Sequence, residues 1–288
     1  MEALYNFIDV DFKDISQYPD AMQKIWNPES GIDGIIIRNV LSPAEIESIK
    51  RDLHKVKDLE IRKDKGLITC PRAFAEVASE SENDEKKLKE LFQEMEDIWN
   101  RFQTEFEVPL NEKFKSLLST ITGSWTPEVP KGPDGVGICA PSTFKRMLPG
   151  AGSLIAHCGN WFHNMWPYIF EHMGKACILK GQMSFFITIQ PAEIGGELVL
   201  YDVQWKDAVE KVDPVQNVLV MNSGEIRDLE DPSQTKTLPL KPNAGDLLCF
   251  AGGRIWHKVS LNQGTQDRIT VGGFLTPSRE GNKIYYWS

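Results

Sequence analysis

Apolar positions recur at helical spacing in the first 125 residues and in short runs or at strand spacing beyond residue 138. The run Gly34 to Leu41 is apolar enough for a buried strand. A helix start follows at once: Ser42 can cap, Pro43 suits the first helical position, and Glu45 completes a capping box. Ile46, Ile49, Leu53 and Val56 then share one face. The strongest periodicity predicts a helix over 82–102, with Leu88, Leu91, Phe92, Met95, Ile98, Trp99 and Phe102 inward and Glu85, Lys86, Lys89, Glu90 and Glu94 outward. A further helix over about 110–122 carries Phe114, Leu117, Leu118 and Ile121 inward and stops near Gly123.

Residues 126–137 are rich in Gly and Pro and read as a connection. Strands are predicted over 143–148, 153–158, 183–189, 197–203, 216–221, 246–250, 255–260 and 268–275. Gly, Pro, Asn and Asp clusters separate them, as at Pro149-Gly150 and Gly195-Gly196. Many short strands with turns between them suggest a sandwich or barrel, here with a helical first half against one outer face. There is no internal repeat and no low-complexity linker, so one domain over 1–288 is expected, with 1–125 as helical buttress and 138–288 as β core.

Composition narrows the function. With 41% hydrophobic and 25% charged residues the chain has an ordinary globular balance. The net charge of −9, with no basic run, gives no support to nucleic-acid binding. No signal peptide, membrane span or membrane association is expected, and the five scattered cysteines suit reduced thiols in a cytoplasmic protein.

The candidate chemistry lies in Ser153 to Phe162. This stretch reads as a strand that ends on His157 and breaks at Gly159, with Cys158 on the opposite face. A histidine with a carboxylate two residues on, plus a distant histidine, makes the facial triad of a non-haem iron site. Glycine stands at the carboxylate position here. Five histidines give roughly 0.35 His-x-Gly matches by chance, and His172-Met173-Gly174 is a second copy. That copy lies in a short helix expected to close at Gly174, where a histidine suits the helix dipole. His54 is expected on a polar helix face and His163 in local packing. His257 is the candidate partner of His157, followed by Arg268 and Thr270 on one strand face, a fork and a hydroxyl suited to a carboxylate. The plainer alternative for Arg268 is a surface ion pair with Asp267 or Glu280.

Taken together, His157-Cys158-Gly159, Gly195-Gly196-Glu197-Leu198, Pro242 to Asp246, His257 and Arg268 resemble the Fe(II)/2-oxoglutarate-dependent oxygenases. The chain is similar, almost end to end, to the carrier-independent halogenases of hapalindole-type indole alkaloid biosynthesis. Tyr18 to Gln23, Asp33 to Arg38, His157 to Phe162, Gly272 to Leu275 and Lys283 to Ser288 carry that likeness. The resemblance implies a mainly β double-stranded β-helix (a cupin-like jelly roll) with helical N-terminal additions. It implies that His157 and His257 bind Fe(II), that a halide, chloride or bromide, takes the place left by Gly159, and that Arg268 with Thr270 holds 2-oxoglutarate. It further implies that Ser184 orients the oxo group and Phe162 lines the substrate pocket. The implied reaction consumes O2, abstracts hydrogen from an unactivated aliphatic carbon through a ferryl species, and transfers the halogen to a free small molecule with no carrier protein. A hydroxylase of the same fold and a non-catalytic jelly-roll binding protein are the alternatives.

The match departs around residues 57–85, a charged stretch here. The corresponding region of the alkaloid enzymes covers the substrate and is more apolar, and related halogenases act on other small molecules, nucleotides included. An alkaloid-like or nucleotide-like substrate is therefore expected.

Overall fold

The computed structural model describes residues 3–62, 66–81, 84–211 and 216–288. A large sheet runs in the order Phe7–Asp11, Gly34–Arg38, Leu247–Phe250, Met183–Gln190, Arg268–Pro277, Thr143–Met147, Leu67–Cys70 and Ile61–Arg62. Lys283–Trp287 pairs with the far end of Arg268–Pro277 and takes Thr126–Glu128 as a parallel neighbour. A second sheet runs Thr237–Leu240, Leu198–Gln204, Ile255–Val259, Leu154–His157. The two sheets share one apolar core, in which Phe185, Ile187, Leu248 and Val271 meet Leu198, Leu200 and Ile255. This is the double-stranded β-helix, and its inward side chains come from alternate strand positions. A separate three-stranded sheet, Ala208–Lys211, Val218–Met221 and Ile226–Asp228, shares a buried cluster with Tyr201, Val203 and Trp256 of the second sheet.

The helical first half packs as its periodicity predicts. Ser42 accepts the Glu45 N–H and Glu45 accepts the Ser42 N–H, so the capping box starts the Pro43–Leu53 helix. The preceding strand stops at Arg38 rather than Leu41, because Asn39 turns into the left-handed region at φ 62°. The long helix spans Glu85–Glu105, capped by Asp84; the two positions before that, 82 and 83, lie outside the described residues. Its inward stripe is as expected except that Ile98 is only half-buried. Trp99 and Phe102 join Phe114 and Phe144 in the core shared with the sheets, so the helices and the β-helix bury one another. The Leu110–Ile121 helix ends before Gly123, whose φ of +63° suits a residue with no Cβ. The Pro167–Gly174 helix runs on into Lys175 in the right-handed region, so Gly174 is its last turn and not a left-handed cap.

One buried carboxylate ties the sheet to the turn after its second strand. Asp246 accepts from Arg38 Nη1 at 2.7 Å and from the backbone N–H groups of Asn39 and Asn243 at 3.1 and 2.9 Å. Asp246→Ala leaves those donors unmet and is expected to lower the unfolding free energy by roughly 2–4 kcal/mol. A urea titration followed by circular dichroism measures this.

Candidate active site

The antiparallel register of Leu154–His157 against Ile255–Val259 sets His257 directly opposite His157. Their ring centroids are 4.3 Å apart. Each Nδ1 lies against the carbonyl two residues earlier on its own strand, Ile155 O at 2.7 Å and Ile255 O at 2.8 Å. A carbonyl only accepts, so each Nδ1 carries the proton and each Nε2 keeps its lone pair. His257 is 5% exposed. Burial first, and then the neighbouring His157, push its pKa well below the ordinary range, which keeps it neutral at pH 7. Two imidazoles opposed in this way, each with Nδ1 turned to a carbonyl of its own strand, suit the nitrogen half of an iron site. Among the described residues, no His, Cys, Asp or Glu completes a group of three there or elsewhere.

Gly159 begins a short turn, Gly159–Trp161, just after the strand. Its N–H donates to Gly252 O at 2.8 Å and the Asn160 N–H to Gly253 O at 3.0 Å. Gly253 N–H in turn donates to Gln182 O at 2.6 Å. These backbones approach closely enough that a Cβ on Gly253 would meet the Gln182 backbone at 2.5 Å. A Cβ on Gly159 would instead meet the flexible Gln182 side chain, with Nε2 at 2.4 Å. Position 159 can therefore receive a longer residue if Gln182 swings away.

Arg268 is 5% exposed, so the surface ion-pair reading of it is corrected. Asp267 turns to Arg146, accepting at 2.9 and 3.2 Å, and Glu280 accepts from Asn282 at 3.4 Å. The Arg268 guanidinium lies 5.4 Å from the Phe186 ring centroid and 3.7 Å from Met147 Sδ. No carboxylate is within ion-pairing distance of it among the described residues. Burial lowers its pKa to about 10, with Glu197 acting the other way, so it remains a cation at neutral pH. A buried guanidinium without an anion of its own is a receptor for one. Arg268, Thr270, Ser184, His157 and His257 line one narrow cavity of about 80 Å³ between the two sheets. All four of the candidate iron and 2-oxoglutarate side chains are thus brought together, and the residues present fit Fe(II) and a small dicarboxylate.

A larger cavity of about 330 Å³ opens on the other side of His157. Phe162 stacks on the His157 ring at 5.7 Å and meets Phe274 edge-on at 5.9 Å. Leu67, Phe74, Trp161 and Trp166 contribute further apolar wall. Leu67 and Phe74 come from the charged stretch 57–85. Of its described charges, Arg72 pairs with Glu80 and Glu94, and Arg101 holds Asp58. Lys63, Asp64, Lys65 and Glu82 lie outside the described residues.

The remaining expectations sort cleanly. His54 is exposed, His163 packs against Phe170 with the rings tilted and their centroids 4.4 Å apart, and His172 lies 3.0 Å from Lys131 O. Cys158 is fully buried on the opposite face, beside Trp256 and Tyr201. Sequence reasoning missed Gln182, Lys145 and Phe274. Lys145 carried a usable signal: it sits in a predicted strand, and register sets it opposite Thr270.

The fold and this paired-histidine site define a non-haem Fe(II)/2-oxoglutarate-dependent oxidoreductase. The family model described as carrier-protein-independent halogenase WelO5 matches residues 4–288, and the chain belongs to that family. Its cofactors and cosubstrates are Fe(II), 2-oxoglutarate, O2 and a halide, and its substrate is a free small molecule. The non-catalytic alternative is thereby set aside. Among solved structures, an N-substituted L-amino acid dioxygenase from Burkholderia ambifaria AMMD is 16% identical, with a TM-score of 0.52 over 92% of this chain and 90% of that one. At that identity it shows the fold. A 2OG-Fe(II) oxygenase-family oxidoreductase from Burkholderia pseudomallei is 9% identical, with a TM-score of 0.47 over 99% of each chain. No curated protein sequence matches. Among the described residues, no helix is long and apolar enough to cross a membrane.

All five cysteines are buried, and burial raises the Cys158, Cys70 and Cys177 thiols to about 12. Unfolded thiols titrate near about 8.5, so the folded chain binds more protons than the unfolded chain above that pH. Stability is expected to fall as pH rises from about 8.5 toward 12. Iodoacetamide at pH 8 is expected to label the urea-unfolded chain and spare the native one, read by intact mass.

Proposed function

We propose that this protein replaces a hydrogen on an unactivated aliphatic carbon of a free-standing small molecule with chlorine or bromine. The observation that carries this reading is the two-histidine pair with Gly159 where a third, anionic ligand would stand. Bound Fe(II), with 2-oxoglutarate and O2, supplies the power to oxidise such a carbon and to deliver a halogen to it. His157 and His257 hold the metal through Nε2, because their Nδ1–H groups are engaged by carbonyls of their own strands. Both are neutral ligands, so the metal's double charge is left uncompensated. Gly159 adds no side chain, and a halide meets both the charge and the space.

Arg268 takes the distal carboxylate of 2-oxoglutarate, with the Thr270 hydroxyl beside it on the same strand face. Ser184 lies in the same cavity, and a Cβ on Gly252 would fall 2.2 Å from its Oγ, so the hydroxyl sits tight against the Gly252 backbone and is restrained there. That restraint suits an orienting hydrogen bond, since a misplacement of about 1 Å can cost about a hundredfold in rate. Phe162 and the neighbouring aromatic rings exclude water from the substrate side.

The cavity's lining supports an apolar, alkaloid-like substrate over a nucleotide-like one. Among the described residues that line it, Lys145 is the one Lys or Arg, whereas a phosphate chain calls for several donors and cations. The core shared by helices and sheets supports treating residues 1–288 as one catalytic unit.

Incubation with Fe(II), 2-oxoglutarate, O2 and chloride against a panel of apolar polycyclic substrates is expected to give a product with the chlorine isotope pattern. Products that carry hydroxyl and never halogen, in chloride and bromide buffers alike, would make the protein a hydroxylase instead. Gly159→Asp is expected to abolish halogen transfer and to permit some hydroxylation; normal chlorination by that variant overturns the reading. Arg268→Leu is expected to weaken 2-oxoglutarate binding by about a hundredfold or more, measured by anaerobic visible titration.

A further inference from the structure

Gln182 precedes the Met183–Gln190 strand and is 1% exposed. Its backbone is committed, the N–H to Leu179 O and the carbonyl to the Gly253 N–H. Its side chain is not: neither Nε2 nor Oε1 has a hydrogen-bond partner. A buried amide left this way costs roughly 1–3 kcal/mol per unmet group and asks for a ligand.

The place of that amide identifies the ligand. A Cβ built on Gly159 would lie 2.4 Å from Gln182 Nε2, 3.0 Å from Cγ and 3.1 Å from Cδ. The carboxamide therefore stands where a carboxylate side chain at 159 would begin. It also lines the substrate cavity beside His157 and Phe162. Its surroundings are pinned by the backbone bonds among Gly159, Asn160, Gly252 and Gly253, and by the Gly181 N–H to Asn160 Oδ1 bond at 2.7 Å. We infer that Gln182 is a halide-binding side chain, whose NH2 donates to the anion held in the space at Gly159. This rests on the halogenase reading and deepens it.

The chemistry fits a neutral donor. A halide only accepts hydrogen bonds, and an amide supplies one without changing the charge at the metal. Glutamate at the same place would return a carboxylate to the site and compete with the halide. The amide also fills part of the room a residue-159 side chain needs, so it guards the position as well as serving it.

The test uses the anaerobic complex of the full chain with Fe(II) and 2-oxoglutarate, titrated with chloride and then bromide while the visible band is followed. Gln182→Met keeps length and removes the donors; it is expected to weaken chloride binding by about tenfold or more, with 2-oxoglutarate affinity and thermal midpoint held. Gln182→Glu is expected to lose the halide-dependent shift altogether. If Gln182→Met binds chloride as tightly as the unmodified protein, or loses chloride, 2-oxoglutarate and thermal stability together, the inference fails. If the unmodified protein shows no halide response, the inference and the halogenase reading fall together, which separates the two failures.

Discussion

The site depends on one strand register. His157 and His257 become neighbours only because Leu154–His157 lies antiparallel to Ile255–Val259 with those two residues opposed. A slip of one residue would turn one imidazole to the far side of the sheet, where Cys158, Tyr201 and Trp256 are packed. The register is held from the other side as well, since Ile255–Val259 also pairs with Leu198–Gln204. Ile255–Val259, an inner strand of the small sheet, thus fixes how the two imidazoles face one another, and the apolar layer behind it makes that geometry costly to change.

Glycine does separate work around the same point. Gly252 and Gly253 let the chain after Leu247–Phe250 run close against Ser184 and Gln182, and Gly159 docks its N–H on that same turn. Three segments distant in sequence are joined there by backbone bonds. Gly159 leaves room for the neighbouring Gln182 amide, and in the proposed reaction it also leaves out a carboxylate.

The two cavities divide the labour. On one side of His157 the narrow cavity offers a buried cation, hydroxyls and two imidazoles, a polar set enclosed between apolar sheets. On the other side the walls are aromatic and aliphatic. Arg268 remains charged despite burial, which creates a standing demand for an anion; the apolar side makes no such demand. A reaction that must run away from water is served by that separation.

The amphipathic helices were legible in the sequence because burial imposes a 3.6-residue period on side chains such as Leu88, Leu91, Phe92 and Met95. The eight predicted strands match observed ones because each carries its own turn signals, and the paired imidazoles with glycine at 159 could be read from a short motif plus a likeness of family. Phe7–Asp11 and Leu67–Cys70 went unassigned, since Gly34–Arg38 and Thr143–Met147, which pair with them, lie well away in the chain and supply the missing stabilisation. The same limit hid Gln182, which stands beside a polar-looking turn until folding brings Gly159 against it. It also made residues 57–85 look polar, although Leu67 and Phe74 turn inward. Local sequence decides periodicity, caps and which functional groups are present. Which groups face one another, and which polar atoms are left without a partner, is decided by long-range packing, because that alone sets distance and excludes water.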